Sequence, residues 1–363
     1  MERRDFVKVV GAGIMGTSAL LTGAPYVHAE KKYEWKMVSA FPDNIVSGRI
    51  AARIAKSIET LSNGRIKITL FYPGKLVKAF DSFDAVSKGT ADIGFGINYY
   101  WVKKDVFHCF SAVPFGLSFM EMVAWLSFGD GQSLWDELYA NYNVKPFFAG
   151  NSGAQMGGWF NKEIKTLDDF KGIKMRIGGL GKKVLEKAGG EAVVIPATEI
   201  IEAMKSNKVD AAEWANPYED LIFGFQKVAK FYYWPGWHEP QGLQECFVNK
   251  KLYDELPNDL KEVIKHATMS SYLAEVAEYI NLSGDSLITL LQQHNVQLRH
   301  FPAKVLGGLA MHAKEVMQEI AAQDPLSKKI VDSYINFRTK AVGWSQIGEE
   351  GASQARSQIF SLL

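Results

Sequence analysis

Three glycines, Gly11, Gly13 and Gly16, stand in KVVGAGIMGTSAL (residues 8–20) at the spacing of a dinucleotide-binding turn. That turn needs a strand before it and an amphipathic helix after it, which rests one face on a sheet and shows the other to water. Here nothing charged at neutral pH lies between Lys8 and Glu30, and Gly23 and Pro25 interrupt the would-be helix, each at a cost in helical stability. Other catalytic patterns fail by single residues. GNSGA (150–154) has Ala154 where a nucleophile elbow requires glycine, and HEPQG (238–242) has Gly242 where a zinc-binding HExxH requires its second histidine. Gly181-Lys182 lacks the earlier glycine and the Ser/Thr of a phosphate loop, and the seven histidines form no pair at helical spacing. No nucleophile, base and orienting group stand out as a set. Arg176 is different: it ends an apolar strand and is followed by Gly178-Gly179. A guanidinium presents a rigid fork of donors that matches a carboxylate bidentately. The plain alternative is a surface arginine paired with a nearby acid.

The residues before the glycines give them another role. Arg3-Arg4, with Phe6 and Lys8 behind them, precede a weakly apolar stretch that ends in VHA at Ala29. This is the n-region, h-region and small-residue cleavage site of an export signal, here of the twin-arginine type. The apolar run is short and glycine-rich for a membrane anchor. Residues 1–29 hold three of the 41 basic and two of the 40 acidic residues, so the mature chain is formally neutral. Neutrality gives no electrostatic argument for nucleic acid or anionic lipid. Export permits a disulfide, but Cys109 and Cys246 both lie in apolar contexts, where buried free thiols are the plainer expectation.

Positioning side chains for binding requires a scaffold, and short apolar strands alternate with helical stretches along the chain, which predicts an α/β fold. Strands are expected at 33–40, 65–74 and 91–100, with helices at 47–64, closed by Asn63-Gly64, and at 76–90. A second unit is expected from about 149, with strands at 153–161, 173–178, 192–196 and 209–217 and helices at 181–190 and 197–208. The stretch 230–250 is long, aromatic and extended, and from Pro257 the pattern is almost wholly helical. Two α/β units joined by extended segments predict a cleft closed by a hinge. The expected organisation is residues 30–148 plus about 238–260 in lobe I, 149–237 plus about 261–325 in lobe II, and a C-terminal helix over 326–363. On that helix Ile330, Tyr334, Phe337, Ala341, Trp344 and Ile347 recur at three- and four-residue spacing, an apolar stripe for a partner subunit or for the chain's own core.

Three stretches together resemble the extracytoplasmic solute-binding proteins of TRAP transporters: GNSGAQMGGWFNKEIKTLDDFKGIKMRIGG (150–179), KVDAAEWANPYEDL (208–221) and YYWPGWHEP (232–240). The resemblance covers essentially the whole mature chain and is nearest to the subgroup that binds 2-oxo and 2-hydroxy monocarboxylates together with a metal cation. It implies a two-lobed periplasmic binding protein fold with a hinged cleft and a helical C-terminus, no enzymatic activity, and delivery of a small organic acid to integral-membrane TRAP permease subunits. It implies that Arg176 clamps the substrate carboxylate. It places the cation on Gln155, Glu213, the backbone oxygen of Trp214 and Glu239, all oxygen ligands suited to hard ions. EW at 213–214 looks like an insertion before the family's Asn216-Pro217. A core amide, a solvated turn carboxylate and a salt bridge are the ordinary alternatives for Gln155, Glu213 and Glu239. Tyr99 or Tyr100, Asn151 and Asn216 are further candidates for substrate contact, whereas Trp159, Trp234 and Trp237 suit core packing better than a cavity wall. Charge counting with Glu213 as the one anionic ligand favours Na⁺, and Ca²⁺ if Glu239 also coordinates. Relatives in the subgroup exchange a terminal helix between subunits, so a homodimer is expected. A dicarboxylate or sugar-like solute is the alternative within the family and would call for a second cationic clamp. A nicotinamide-dependent oxidoreductase rests on Gly11–Gly16 alone.

Overall fold

A computed structural model describes residues 31–360, and the leader expected at 1–29 lies outside them. From Tyr33 onward the chain forms one compact unit. Its strands are β1 (Tyr33–Ser39), β2 (Ile66–Phe71), β3 (Ile93–Gly96), β4 (Val144–Asn151), β5 (Gly158–Phe160), β6 (Lys174–Arg176), β7 (Glu191–Val193), β8 (Ala211–Ala212), β9 (Phe231–Trp234), β10 (Leu243–Asn249) and β11 (Gln297–His300). The α-helices are α1 (Val46–Leu61), α2 (Ser82–Ser87), α3 (Phe119–Phe128), α4 (Gly131–Ala140), α5 (Gly179–Lys187), α6 (Ile200–Lys205), α7 (Pro217–Phe223), α8 (Lys250–Asp254), α9 (Asn258–Gln293), α10 (Ala303–Ala321), α11 (Pro325–Ser345) and α12 (Glu349–Phe360).

The strands form two mixed sheets, the first ordered β2-β1-β3-β10-β4 and the second β11-β9-β5-β8-β6-β7. The α/β architecture expected from the alternating pattern is present. The parallel pairs β1/β2, β1/β3, β6/β7 and β6/β8 are joined through helices, as parallel strands require. α1 forms because Ile50, Ile54 and Ile58 fall on one buried stripe. It ends where Asn63 and Gly64 take positive φ, the left-handed conformation that stops a helix.

The chain passes between the sheets three times: after β4, between β9 and β10, and along α9 to β11. The first crossing begins beyond Asn151, where β4 ends, and not at the expected boundary of 148. α9 packs on α1 and β4 as well as on α7, so it spans both lobes although its residues from 261 were expected in lobe II. At ~1.5 Å per residue its 36 residues extend about 54 Å. The expected helical tail conceals β11, four residues paired with β9. β3 stops at Gly96, and Tyr99 and Tyr100 sit in a 3₁₀ turn over Asn98–Tyr100, not at the end of a strand. The terminal helix is broken into α11 and α12. Among the described residues no helix is long and apolar enough to cross a membrane. Cys109 and Cys246 are buried free thiols.

The first sheet buries a carboxyl group. Glu245 on β10 accepts from the Trp101 Nε1 at 2.9 Å and the Tyr139 hydroxyl at 2.7 Å, and burial pushes its pKa up to about 8 despite both donors. The folded state therefore holds a proton that the unfolded chain releases near the ordinary value of 4.5. Between those pH values N binds more protons than U, so this group lowers stability as pH rises. In urea unfolding, Glu245→Gln is expected to remove its part of that decline, amounting to a few kcal/mol by pH 8. An unchanged slope between pH 5 and 8 would show that Glu245 is already ionised.

Candidate functional site

The site begins with a register. β6 and β8 pair in parallel with Arg176 opposite Ala212, and the Glu213 amide donates to the Arg176 carbonyl at 3.1 Å. This brings two residues 37 positions apart side by side. Arg176 Nη1 donates to Glu213 Oε1 at 2.6 Å and to the Glu213 carbonyl at 2.7 Å, and the Gly178 amide donates to the same Oε1 at 2.9 Å. Both side chains are 1% exposed. The Arg176 guanidinium also lies 5.1 Å from the Trp214 ring, a cation–π contact in a dry setting. Burial opposes ionisation of Glu213, but the Arg176 charge and His238 outweigh it and hold its carboxyl below the usual value.

The first two crossings carry the next residues and lie against each other. The Gly236 amide donates to the Gln155 carbonyl at 2.9 Å, and Ser152 and Gly242 exchange bonds at 3.1 Å. Gln155 Nε2 reaches Ser152 Oγ at 2.8 Å and Glu239 Oε2 at 2.7 Å. Burial first, and then the neighbouring Glu213 charge, drive the Glu239 pKa well above the ordinary value. The half-buried Tyr99 ring lies over the start of α5. A Cβ at Gly178 would stand 2.9 Å from that ring, and Gly179 has φ +60° with its Cβ position 3.4 Å from Glu239 Oε1. Glycine at both positions lets the two lobes meet here.

Several buried polar atoms in this group have no protein hydrogen-bond partner: Arg176 Nη2, Gln155 Oε1, Glu239 Oε1, Asn216 Nδ2 and His238 Nδ1. Buried polar atoms are nearly always satisfied, so this set of donors and acceptors marks a candidate binding site. The open space beside Gln155 and Trp214 is small. A cavity of about 30 Å³ is lined by Phe41, Ile97, Tyr99, Ser152, Gln155 and Trp214, room for one or two water-sized groups.

The remaining sequence candidates divide. Asn216 caps α7 through Oδ1, which accepts from the Glu219 amide at 3.3 Å, and keeps Nδ2 free. Asn151 commits both amide hydrogens, to Gln241 and to the Tyr272 hydroxyl, while its Oδ1 accepts from the Gly153 amide at 2.8 Å. Tyr100 is packed among Phe41, Phe80 and Trp101. Trp159 stacks on Tyr232 at 4.0 Å, Trp237 on Phe115 at 6.2 Å, and Trp234 is 43% exposed. Three residues were not singled out in the sequence. His238 stands 3.4 Å from Glu213 Oε2. Glu219 and Asp220 turn back from α7 to fix the 214–215 loop, Glu219 Oε2 accepting from Trp214 Nε1 at 2.6 Å and Asp220 Oδ1 from the Ala215 amide at 3.3 Å. The one hint was their place directly after Asn216-Pro217, where a capped helix presents its first turn to the loop before it. Among the described residues no three His, Cys, Asp or Glu side chains form a metal cluster. A hard cation would instead take a mixed set, and the free Gln155 and Glu239 oxygens suit one.

Residues 37–324 match the family model of bacterial extracellular solute-binding proteins, family 7. The chain belongs to this family. It is 36% identical over 334 residues to the monocarboxylate 2-oxoacid-binding periplasmic protein of a Nostoc strain, covering 92% of this chain and 90% of that one. Two TRAP solute-binding protein crystal structures superpose closely. One, from Bordetella bronchiseptica, is a mixed-occupancy dimer with calcium and picolinate in its active site (TM-score 0.88, 30% identity, 91% of this chain and 99% of that one). The other, from Pseudoalteromonas atlantica, holds sodium and pyruvate (TM-score 0.86, 34% identity, 89% and 99%). The protein is thus a TRAP-transporter solute-binding protein, a receptor and not an enzyme, with the two-lobed fold of that family.

The buried ion pair makes its own prediction. Arg176→Met leaves the Glu213 carboxylate uncompensated and should cost about 3–5 kcal/mol in chemical unfolding. Arg176→Met combined with Glu213→Gln should cost clearly less, because no lone charge remains. Equal losses would mean that packing, not charge, holds this corner.

Proposed function

We propose that this protein captures a small 2-oxo or 2-hydroxy monocarboxylate, of the pyruvate, 2-oxobutyrate or lactate type, together with a bridging cation, in the periplasm, and hands it to its TRAP permease. The observation that carries this reading is the unsatisfied set itself. Arg176 Nη2 is a free charged donor for a carboxylate oxygen, and Gln155 Oε1 and Glu239 Oε1 are free acceptors for a cation. Glu213 and the Trp214 carbonyl complete the cation's oxygen shell, and Asn216 Nδ2 and the Tyr99 hydroxyl face the acid's keto or hydroxyl oxygen. Asn151 and Tyr100 act as supporting wall rather than as ligands, given their protein partners. The Nostoc relative's name and the pyruvate in the Pseudoalteromonas structure agree with this substrate class.

Charge supports a monocarboxylate. Arg176 is the one buried Lys or Arg among the described residues, so a dicarboxylate would bring a second anion beside Glu213 and Glu239 with no second clamp. With Glu213 as the one anionic ligand, acid, Glu213 and Arg176 sum to −1, and Na⁺ neutralises the site. If Glu239 coordinates as a carboxylate, Ca²⁺ does so. The leader with Arg3-Arg4 fits export through the twin-arginine route.

Because the cation touches both protein and acid, each should raise the other's affinity by the same factor. Calorimetric titration of chelated protein with pyruvate in sodium-free buffer is expected to give weak binding. Restoring Na⁺ or Ca²⁺ should strengthen it at least tenfold, and succinate should not compete. Equal pyruvate affinity under all conditions, with no metal by elemental analysis, would refute the bridging cation.

The stripe on the terminal helix divides between two roles. Ile330 and Tyr334 are buried in the chain's own core, where Tyr334 packs edge-on to Trp125 at 5.1 Å and its hydroxyl accepts from the Leu117 amide. Trp344 and Ile347 are 69% and 79% exposed, and Ile359 on α12 is 54% exposed. We assign these three to the surface of a homodimer; the Bordetella relative is itself a dimer. A chain ending at residue 345 is expected to stay folded and sediment as a monomer. A dimer of unchanged affinity would place the interface elsewhere.

A further inference from the structure

α1 is a helix without a cap of its own. Its N-cap residue, Ile45, offers no side-chain acceptor, and its first turn carries no acidic residue. Yet the N-terminus is fully buried, Val46 at 0% and Ser47 at 3% exposure. A buried helix start needs acceptors for its free amides. The acceptor comes from the second lobe: Glu219 Oε1, in the first turn of α7, takes the Val46 amide at 3.1 Å across 173 residues of sequence. The same oxygen takes the Tyr279 hydroxyl from α9 at 2.6 Å, while Oε2 takes Trp214 Nε1. Tyr279 lies 3.4 Å from Ser47 Oγ, which in turn donates to Glu275 on α9 at 2.9 Å. Glu219, Trp214, Tyr279 and Ser47 all line the cavity. One carboxyl group thus touches the first lobe, the helix that spans both lobes, and the indole of a residue whose carbonyl faces the cation.

We propose that Glu219 is a positioning residue that clasps the closed lobes: one oxygen caps α1 from across the cleft, and the other holds Trp214 in the conformation that completes the cation site. This rests on the acid-and-cation reading above. Opening the lobes draws Glu219 away from Val46 and leaves the start of α1 uncapped, so the clasp favours the closed, ligand-bound form. Its loss acts on release more than on capture, as is usual for contacts made after encounter.

The test uses the full mature chain with pyruvate, Na⁺ and Ca²⁺, comparing wild type, Glu219→Ala and Glu219→Gln. Pyruvate dissociation is followed by stopped flow, and amide exchange of the first turn of α1 is measured with and without ligand. Glu219→Ala should dissociate about tenfold to a hundredfold faster, the effect of leaving buried donors without their acceptor. Its association rate should barely change, and the protection of residues 46–48 on ligand addition should vanish. Glu219→Gln keeps one carbonyl oxygen for Val46 and Tyr279 but turns an amide toward Trp214. It should retain that protection and dissociate at an intermediate rate. Wild-type dissociation and protection in Glu219→Ala, even with a lower ligand-free melting temperature, would reduce Glu219 to a packing role and overturn the clasp. If wild type itself takes no pyruvate, the functional reading fails separately. The clasp is then decided by small-angle scattering of the ligand-free proteins: Glu219→Ala should be more open than wild type, and equal radii of gyration would overturn it.

Discussion

The structure depends on a buried guanidinium that has only half of its partners. Arg176 cannot lose its charge, and at 1% exposure it cannot reach water. Glu213 compensates the charge through Nη1 and leaves Nη2 with nothing in the protein to bond. A buried ion pair is a poor source of stability in itself, since desolvation offsets most of the attraction. On the proposed assignment its retention has another basis: the pair fixes the guanidinium and leaves one donor of a rigid fork unused, aligned before any ligand arrives, which lowers the cost of binding. The second sheet serves this geometry. Parallel pairing of β6 with β8 sets the 176–212 register, the chain leaves β8 at Glu213, and the glycines after β6 let α5 approach the first lobe.

Around that fork the fold places further carboxyl groups, and their surroundings separate their states. Glu213, beside Arg176, is held ionised, whereas Glu239, at similar burial, faces the Glu213 charge and is driven upward. Glu219 and Asp220 are also raised by burial, Asp220 to about 7, although each accepts several hydrogen bonds. The pattern is spatial. The carboxyl group that neutralises the clamp is the ionised one, and those that hold the loop or await a cation are biased toward the proton. A site arranged in this way has a net charge near zero when empty and can take an anion and a cation together.

Much of this was legible in the sequence because the signals were local. The apolar stripe of α1, its Asn63-Gly64 stop, the β6 strand ending in Arg176 and the glycine-led start of α5 each follow from a few adjacent residues. The candidate ligands Gln155, Glu213, Trp214 and Glu239 were reached through family resemblance, and no local rule would have joined them. What escaped was set by distance. The Glu213–Arg176 pair is a product of register, and β11 is four residues of strand within a helical tail. Glu219 was not singled out at all, and only the folded chain shows that it serves the helix start at Val46. The stripe from Ile330 to Ile347 was one periodic signal with two coverings, because periodicity tells that a face is apolar but not whose surface lies on it.

Separation in sequence also ties the proposed binding to closure. No single element holds the site: Arg176 and Glu213 come from the second sheet, Tyr99 from the first, and Gln155 and Glu239 from the crossings between them. Each of the unsatisfied atoms is tolerable in an open cleft, where water bonds to it. In a closed site any of these atoms left without a partner carries the full penalty of desolvation. On the proposed assignment, an acid without its cation leaves the Gln155 and Glu239 oxygens unpaired, and a cation without the acid leaves Arg176 Nη2 unpaired. The pair together satisfies all three, so on that reading the closed state selects both, and selectivity follows from the cost of closing on anything else.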